Sequence, residues 1–325
     1  MSQQLRRNLD DLDALVTRTA AARGLPAPYV EKDFWVTEVL RVAAADRVVS
    51  MPDESTSPVT LLFKGGTSLS RVFGIVDRFS EDVDLLAVFP DGAGANARHK
   101  VLKQVDRDVA THLGLTEADV SVGASTTGLK RFTTYHYPVS GHDQGLKEGV
   151  LLELGTRGGT YPAGPHSYRS MVADYAIAEL REDEDTWEEF ASFTVNVIAP
   201  ERTLLEKISA VHDAAVRGDT KALLKHGRHF YDIDRLLNTP HVIDALAVSR
   251  LEELVEDINA HSADAGFSWS PRPEGGYADS PAFDPQADVR EAIFTGFQAA
   301  QALIHGIQIT LDDVVSTVQA NRERL

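Results

Sequence analysis

Apolar positions recur at helical spacing over residues 5–22, with Leu9, Leu12, Leu15 and Val16 along one side, and the pattern stops at Gly24 and Pro26. A permissive C-cap followed by a helix breaker predicts the end of a first helix there. A second stripe, Trp35, Val36, Val39, Leu40 and Ala43, predicts a packing helix over 28–47, with Glu31, Lys32 and Asp33 near its start. The pattern then shortens. Residues 59–63 are a β-rich run that enters Lys64-Gly65-Gly66-Thr67-Ser68-Leu69-Ser70, so a strand is expected to feed a glycine turn and then a helix. Glu81-Asp82-Val83-Asp84 leads into an apolar run ending at Pro90, which predicts another strand over 81–89. Residues 95–113 read as helix, and 130–139, 149–154 and 193–197 as further strands.

From Pro200 onward the pattern becomes purely helical, with stripes through Leu204, Leu205, Ile208 and Val211 and through Phe230, Ile233, Leu236 and Leu237. The expected class is therefore α+β: a mixed α and β domain over residues 1–199, then a mainly helical C-terminal domain over 200–325. Pro200 suits the first turn of a helix, where its missing N–H costs little. Residues 262–288, rich in proline and glycine but holding Phe267, Trp269, Tyr277 and Phe283, read as a long loop packed through aromatic anchors. The acidic run over 182–189 reads as a solvated face.

Composition narrows the chemistry. Among 325 residues, 43% are hydrophobic and 25% charged, which excludes disorder throughout. The absence of cysteine removes disulfides, thiolate zinc sites and a cysteine nucleophile, leaving carboxylates and imidazoles as the main metal ligands. The first residues carry acids where a secretory signal needs an apolar run, and no stretch approaches the roughly 18 apolar residues of a membrane span. A cytoplasmic protein that does not enter a membrane is expected. With 32 Lys and Arg against 49 Asp and Glu, the net charge of −17 means that a polyanion must be met by a local basic patch. Residues 201–235 hold seven basic groups, and helical spacing predicts Arg217, Lys221, Lys225 and Arg228 on one face.

Asp82 and Asp84 stand two apart on an expected strand, so both side chains point to one face and can share a metal. The preceding strand, Gly65-Gly66 and Ser68 add a gap, backbone donors and a hydroxyl of the kind a phosphate needs. Glu153, inside the apolar run 150–154, is costly to bury unless paired. It is either a third carboxylate of the site or the partner of Lys130 or Arg131. Asp232 and Asp234 subtend about 200° on a helix, so only one should face a site, and Asp234 is read as surface. The histidines, among them His136, His142, His166, His212, His226 and His229, show no convincing zinc spacing.

The segment KGGTSLSRVFGIVDRFSEDVDLL at 64–86 resembles the nucleotidyltransferase core of the AbiEii/AbiGii (MenT-like) toxin family, which has a polymerase β-like mixed-sheet core. The resemblance extends to residues 29–36, 200–208 and 228–233. It implies that Gly66 and Ser68, with Lys64, Gly65, Thr67, Arg78 and Ser80 beside them, form the nucleotide-binding segment, and that Asp82 and Asp84 bind Mg2+, or Mn2+ in its place. It further implies that Lys207 is the motif lysine and Asp232 the last motif aspartate, both supplied by the C-terminal domain. Lys207 suits the chemistry, because phosphoryl transfer builds negative charge that an ammonium can offset.

The expected function is metal-dependent nucleotide transfer from a nucleoside triphosphate to an RNA acceptor, a tRNA 3′ end, with release of pyrophosphate. A separate antitoxin is the expected partner. Two alternatives stay open: transfer to a small molecule, which needs no basic patch, and a nucleotide-binding partner protein without catalysis. Ser80, two residues before Asp82, is further expected to lean toward the site if the strand begins that early, where a phosphate would repel the aspartates.

Overall fold

A computed structural model of the chain describes residues 3–138, 146–248, 251–264, 266 and 268–325. They form two compact units, the first made of Met1–Val72, Glu81–Thr156 and Ala163–Val197 and the second of Phe73–Ser80, Arg157–Pro162 and Ile198–Leu325. Two segments that precede the boundary expected at 199/200 thus group with the helical unit. Their backbone bonds explain it: Phe79 N donates to Leu303 O (2.8 Å), and Ala199 N to Pro162 O (2.9 Å).

The first unit comprises α1 (Leu9–Arg23), α2 (Ala27–Ala43), β1 (Arg47–Ser50), β2 (Thr56–Lys64), α3 (Gly65–Arg71), β3 (Asp82–Val88), α4 (Ala95–Leu113), β4 (Val120–Thr126), β5 (Lys130–Tyr135), β6 (Val150–Gly155), β7 (Ala163–Tyr168), α5 (Met171–Ala178) and β8 (Phe193–Ile198). Gly24, at φ +65°, closes α1 as the expected left-handed cap. The helix expected over 28–47 stops at Ala43, and Arg47 opens a strand that the apolar pattern did not show, because only Val49 of β1 is buried. Strands β4 and β7 were missed for the same reason, β4 having no buried residue and β7 burying only Tyr168. The strand expected over 130–139 ends at Tyr135, and Val139 lies outside the described residues.

The strands are ordered β4-β5-β6-β3-β2-β8-β7, with β1 paired to β2. β2 runs antiparallel to β3 and parallel to β8, while β3 and β6 run parallel. Such a mixed sheet confirms the α+β class. Alternation along the strands gives the sheet two unlike faces. Val83, Leu85, Leu152 and Leu154 are buried on one. Helix α4 packs on that face, where its Asp106 accepts from Thr133 (2.8 Å), Tyr135 (3.3 Å) and Arg131, and α2 packs on α4, β3 and β6. The other face is only half-buried at Asp82, Asp84 and Glu153.

The acidic run near 182–189 is not wholly solvated. Glu189 is fully buried and accepts from the backbone N–H groups of Leu5 (2.8 Å) and Arg6 (3.1 Å) and from the Arg6 guanidinium (2.7 Å). A chain-distant partner, invisible to local pattern, makes that burial possible.

The second unit holds α6 (Pro200–Val216), α7 (Thr220–Lys225), α8 (Gly227–Leu237), α9 (Pro240–Val248), α10 (Leu251–Asp264), α11 (Arg290–Gln301) and α12 (Leu311–Ala320). Helix α8 packs on α6, α11 and α12. The loop expected over 262–288 begins after Asp264 and is anchored by buried Tyr277 and Phe283, whereas Trp269 is exposed and Phe267 lies outside the described residues. Arg217, Lys221, Lys225 and Arg228 do not share one helix face. Arg217 caps α6, Gly218 turns at φ +62°, Asp219 caps α7 and α8 restarts at Gly227, so the four residues fall on three helices. No helix among the described residues is long and apolar enough to cross a membrane.

Candidate active site

The half-buried face of the first unit concentrates charge at one place. In the parallel pairing of β3 with β6, Asp84 stands opposite Glu153, and in the antiparallel pairing of β2 with β3 it stands opposite Lys64. Residues directly opposite share a face, and Asp82 joins them by the two-residue period. Arg131 is in register with Leu154, on the face that α4 covers, where Asp106 takes its guanidinium. That partnership removes Arg131 as a salt-bridge partner for Glu153. Lys130 lies over the Phe132 ring. The Glu153 carboxyl is instead pushed up to about 7, by burial first and then by the negative charges of Asp84 and Asp82.

The glycine turn meets this cluster directly. Gly65 has φ +85°, and a Cβ built on it would lie 2.3 Å from Asp84 Oδ2. Only glycine lets the backbone and that carboxylate approach so closely. The hydroxyls expected to meet a phosphate are engaged elsewhere: Thr67 Oγ1 donates to Asp82 O (2.6 Å) and Ser68 Oγ to Gly65 O (2.9 Å), and both residues are buried. The Thr67 bond braces the turn against β3, and the Ser68 bond closes the turn on itself.

Sequence reasoning missed a lysine here. Lys147 Nζ lies 3.0 Å and 3.4 Å from the two carboxylate oxygens of Asp82. Its backbone is held by α2 and by the residue before β3: Glu81 Oε2 accepts from Lys147 N (2.6 Å), and Lys32 Nζ donates to the carbonyls of Lys147 (2.6 Å) and Gly149. Lys32 and Glu81 are themselves paired at 3.6 Å and buried. The acidic and basic residues opening α2 thus do more than pack. Asp33 accepts from Arg71 Nε (2.5 Å) and Met171 N (2.7 Å), which ties α2 to α3 and α5.

In the second unit Asp232 is fully buried. Arg78, expected beside a triphosphate, is buried too and donates to it through Nε (2.6 Å) and Nη2 (2.7 Å), while Lys207 Nζ approaches to 2.9 Å. These two cations outweigh the effect of burial and hold the Asp232 carboxyl well below the usual carboxylate range. His226 and His229 stack at 4.5 Å, and both are pushed down, by burial first and by Lys207 next. Asp234 is also buried, accepting from Thr317 (2.7 Å) beside Arg235, so the expectation of a surface residue fails. The angular argument survives, since the two aspartates find different partners. Ser80 precedes β3, which starts at Asp82, so strand alternation does not reach it.

The donor chemistry of the first unit is of the kind a hard divalent cation takes: three carboxylates, Asp82, Asp84 and Glu153, share a face. Among the described residues no group of three or more His, Asp or Glu side chains is placed so that it could hold a metal ion, so any ion here would rest on the pair Asp82 and Asp84. The family model for the nucleotidyl transferase AbiEii toxin of type IV toxin–antitoxin systems matches residues 53–316. The chain belongs to that family and is a nucleotidyltransferase. A comparison with curated proteins finds no match.

Proposed function

We propose that the protein is a cytoplasmic, metal-dependent enzyme that transfers a nucleotide from a nucleoside triphosphate to an RNA 3′ end, that of a tRNA, and releases pyrophosphate. The observation that supports it best is the register pairing of Asp84 with Glu153 on the face that also bears Asp82. Asp82 and Asp84 would hold Mg2+, or Mn2+ in its place. Such an ion would supply charge neutralisation at the α-phosphate and the departing pyrophosphate. Glu153, on the same face and with a carboxyl that burial pushes up, is placed to accept the proton of the attacking 3′-hydroxyl. Lys64 offers positive charge to the phosphates from the same face. In the second unit, Asp232, which also takes the Arg78 guanidinium, holds the Lys207 ammonium. The RNA acceptor rests on the resemblance in residues 64–86, and a cognate antitoxin is the partner that family membership suggests.

The test is incubation of the purified chain with total RNA, Mg2+ and each α-labelled triphosphate in turn, beside Asp82→Ala. Label in tRNA-sized RNA with the wild type only is the expected result. Incorporation by both proteins, or by neither, would overturn the reading.

A further inference from the structure

Lys147 is held in an unusual way for an exposed lysine. Its side chain is 55% exposed, yet its backbone N–H and carbonyl are both clasped by charged groups that are almost wholly buried, Glu81 and Lys32. A buried ion pair is costly to assemble and gives little net stability, so its use to grip one residue's backbone points to the side chain that this residue presents. That side chain lies across both oxygens of Asp82. An ammonium on a flexible four-carbon stem is a mobile point charge, well able to leave one anion for another.

We propose that Lys147 is a substrate-binding residue whose ammonium competes with a divalent cation for Asp82 and, once displaced, binds the polyphosphate of the incoming nucleoside triphosphate. This rests on the reading of Asp82 and Asp84 as a metal clamp. The charges support the exchange. Asp82, Asp84 and Glu153 share the face with two ammonium groups, Lys64 and Lys147, so a divalent cation arriving at Asp82 makes one ammonium redundant there. A triphosphate bound to the same cation brings several negative charges within the reach of a side chain already anchored beside Asp82. The anchor keeps the displaced lysine at the site, and the exposure of its side chain leaves it free to turn.

The two halves of the proposal have opposite signs and are read without turnover. Calorimetric titration of the chain with Mn2+ alone should show tighter binding in Lys147→Met than in the wild type, because the competing cation is gone. Titration with Mn2+ and an α,β-methylene nucleoside triphosphate should show binding about tenfold weaker in Lys147→Met, the loss of one charged phosphate contact. Lys147→Arg should restore most of both, and melting temperatures should change little, since the backbone clasp does not use the side chain. If Lys147→Met folds poorly, Lys147→Gln replaces it in both titrations. Mn2+ affinity that is unchanged or weaker in the neutral variants, or triphosphate affinity that is unchanged, would overturn the proposal while wild-type Mn2+ binding, lost in Asp82→Ala, keeps the metal clamp. If the wild type itself binds no Mn2+ and Asp82→Ala matches it, the clamp fails and the proposal falls with it.

Discussion

Burial, and then the charges of Asp84 and Asp82, push the Glu153 carboxyl up to about 7, against about 4.3 for an unperturbed glutamate, so ionising it costs the folded state stability. The cost is absent below the unfolded value and complete above the folded one. Glu153→Gln should therefore melt higher than the wild type at pH 8, with the advantage shrinking as pH falls through 7 and gone by about pH 4.3. Thermal melts at pH 5 and 8 check the sign. Added Mg2+ should raise the wild-type melting temperature more than that of the variant, because a cation offsets the repulsion that the variant lacks. At the neighbouring turn, Gly65→Ala should reduce transfer by at least about tenfold, since its Cβ would meet Asp84 Oδ2 at 2.3 Å and its φ of +85° disfavours a side chain. Wild-type rates in that variant would show that Asp84 tolerates displacement. The paired aspartates were legible in the sequence because a strand has a period of two. Lys147 was not, because the groups that anchor it, Lys32 and Glu81, are far from it in the chain.

Between elements, the decisive contact of the second unit is one carboxylate joining α6, α8 and the segment Phe73–Ser80. Asp232 neutralises Arg78 and Lys207 together, so Asp232→Ala leaves two cations buried without it and should cost about 3–5 kcal/mol of stability. The pH dependence has a definite sign. A carboxyl held below its ordinary value contributes stability that is fully present above the unfolded pKa, about 3.9, and is lost only as pH falls toward the folded one. Denaturant unfolding should show a constant gap between wild type and variant from pH 8 to 5, closing only in strong acid; a gap that closes near neutrality would contradict the pairing. The basic stripe across 217–228 failed for a reason of the same scale. Helical spacing places residues on a face only while one helix continues, and Gly218, Asp219 and the restart at Gly227 interrupt it.

For the whole molecule, the net charge of −17 opposes any polyanionic acceptor at long range. Because the cations at 217–228 are divided among three helices, they offer an RNA no single long row of phosphate contacts. Its affinity should then depend only weakly on salt, with a log–log slope well below the roughly −0.7 per phosphate that would accumulate over a long basic surface. Binding measured between 50 and 200 mM salt decides this, and a slope corresponding to many phosphates would show that a basic surface has been overlooked.

What the sequence determined by itself is local and periodic: the α+β class, the helix over Ala95–Leu113, the turn at Gly65, the shared face of Asp82 and Asp84, and the helical stretch from Pro200. Each depends on spacings of a few residues, which the chain displays directly. The tertiary structure decided matters that depend on which distant segments meet. It set Glu153 opposite Asp84, because register between β3 and β6 is a property of the sheet and not of either strand. It buried Glu189 and Asp234, which look solvated in isolation, because Arg6, Leu5 and Thr317 arrive from far along the chain. It also assigned Phe73–Ser80 to the helical unit, where backbone bonds to Leu303 and the Arg78–Asp232 pair hold it. A buried charge is affordable only beside its partner, and that partner is known only once the chain has folded.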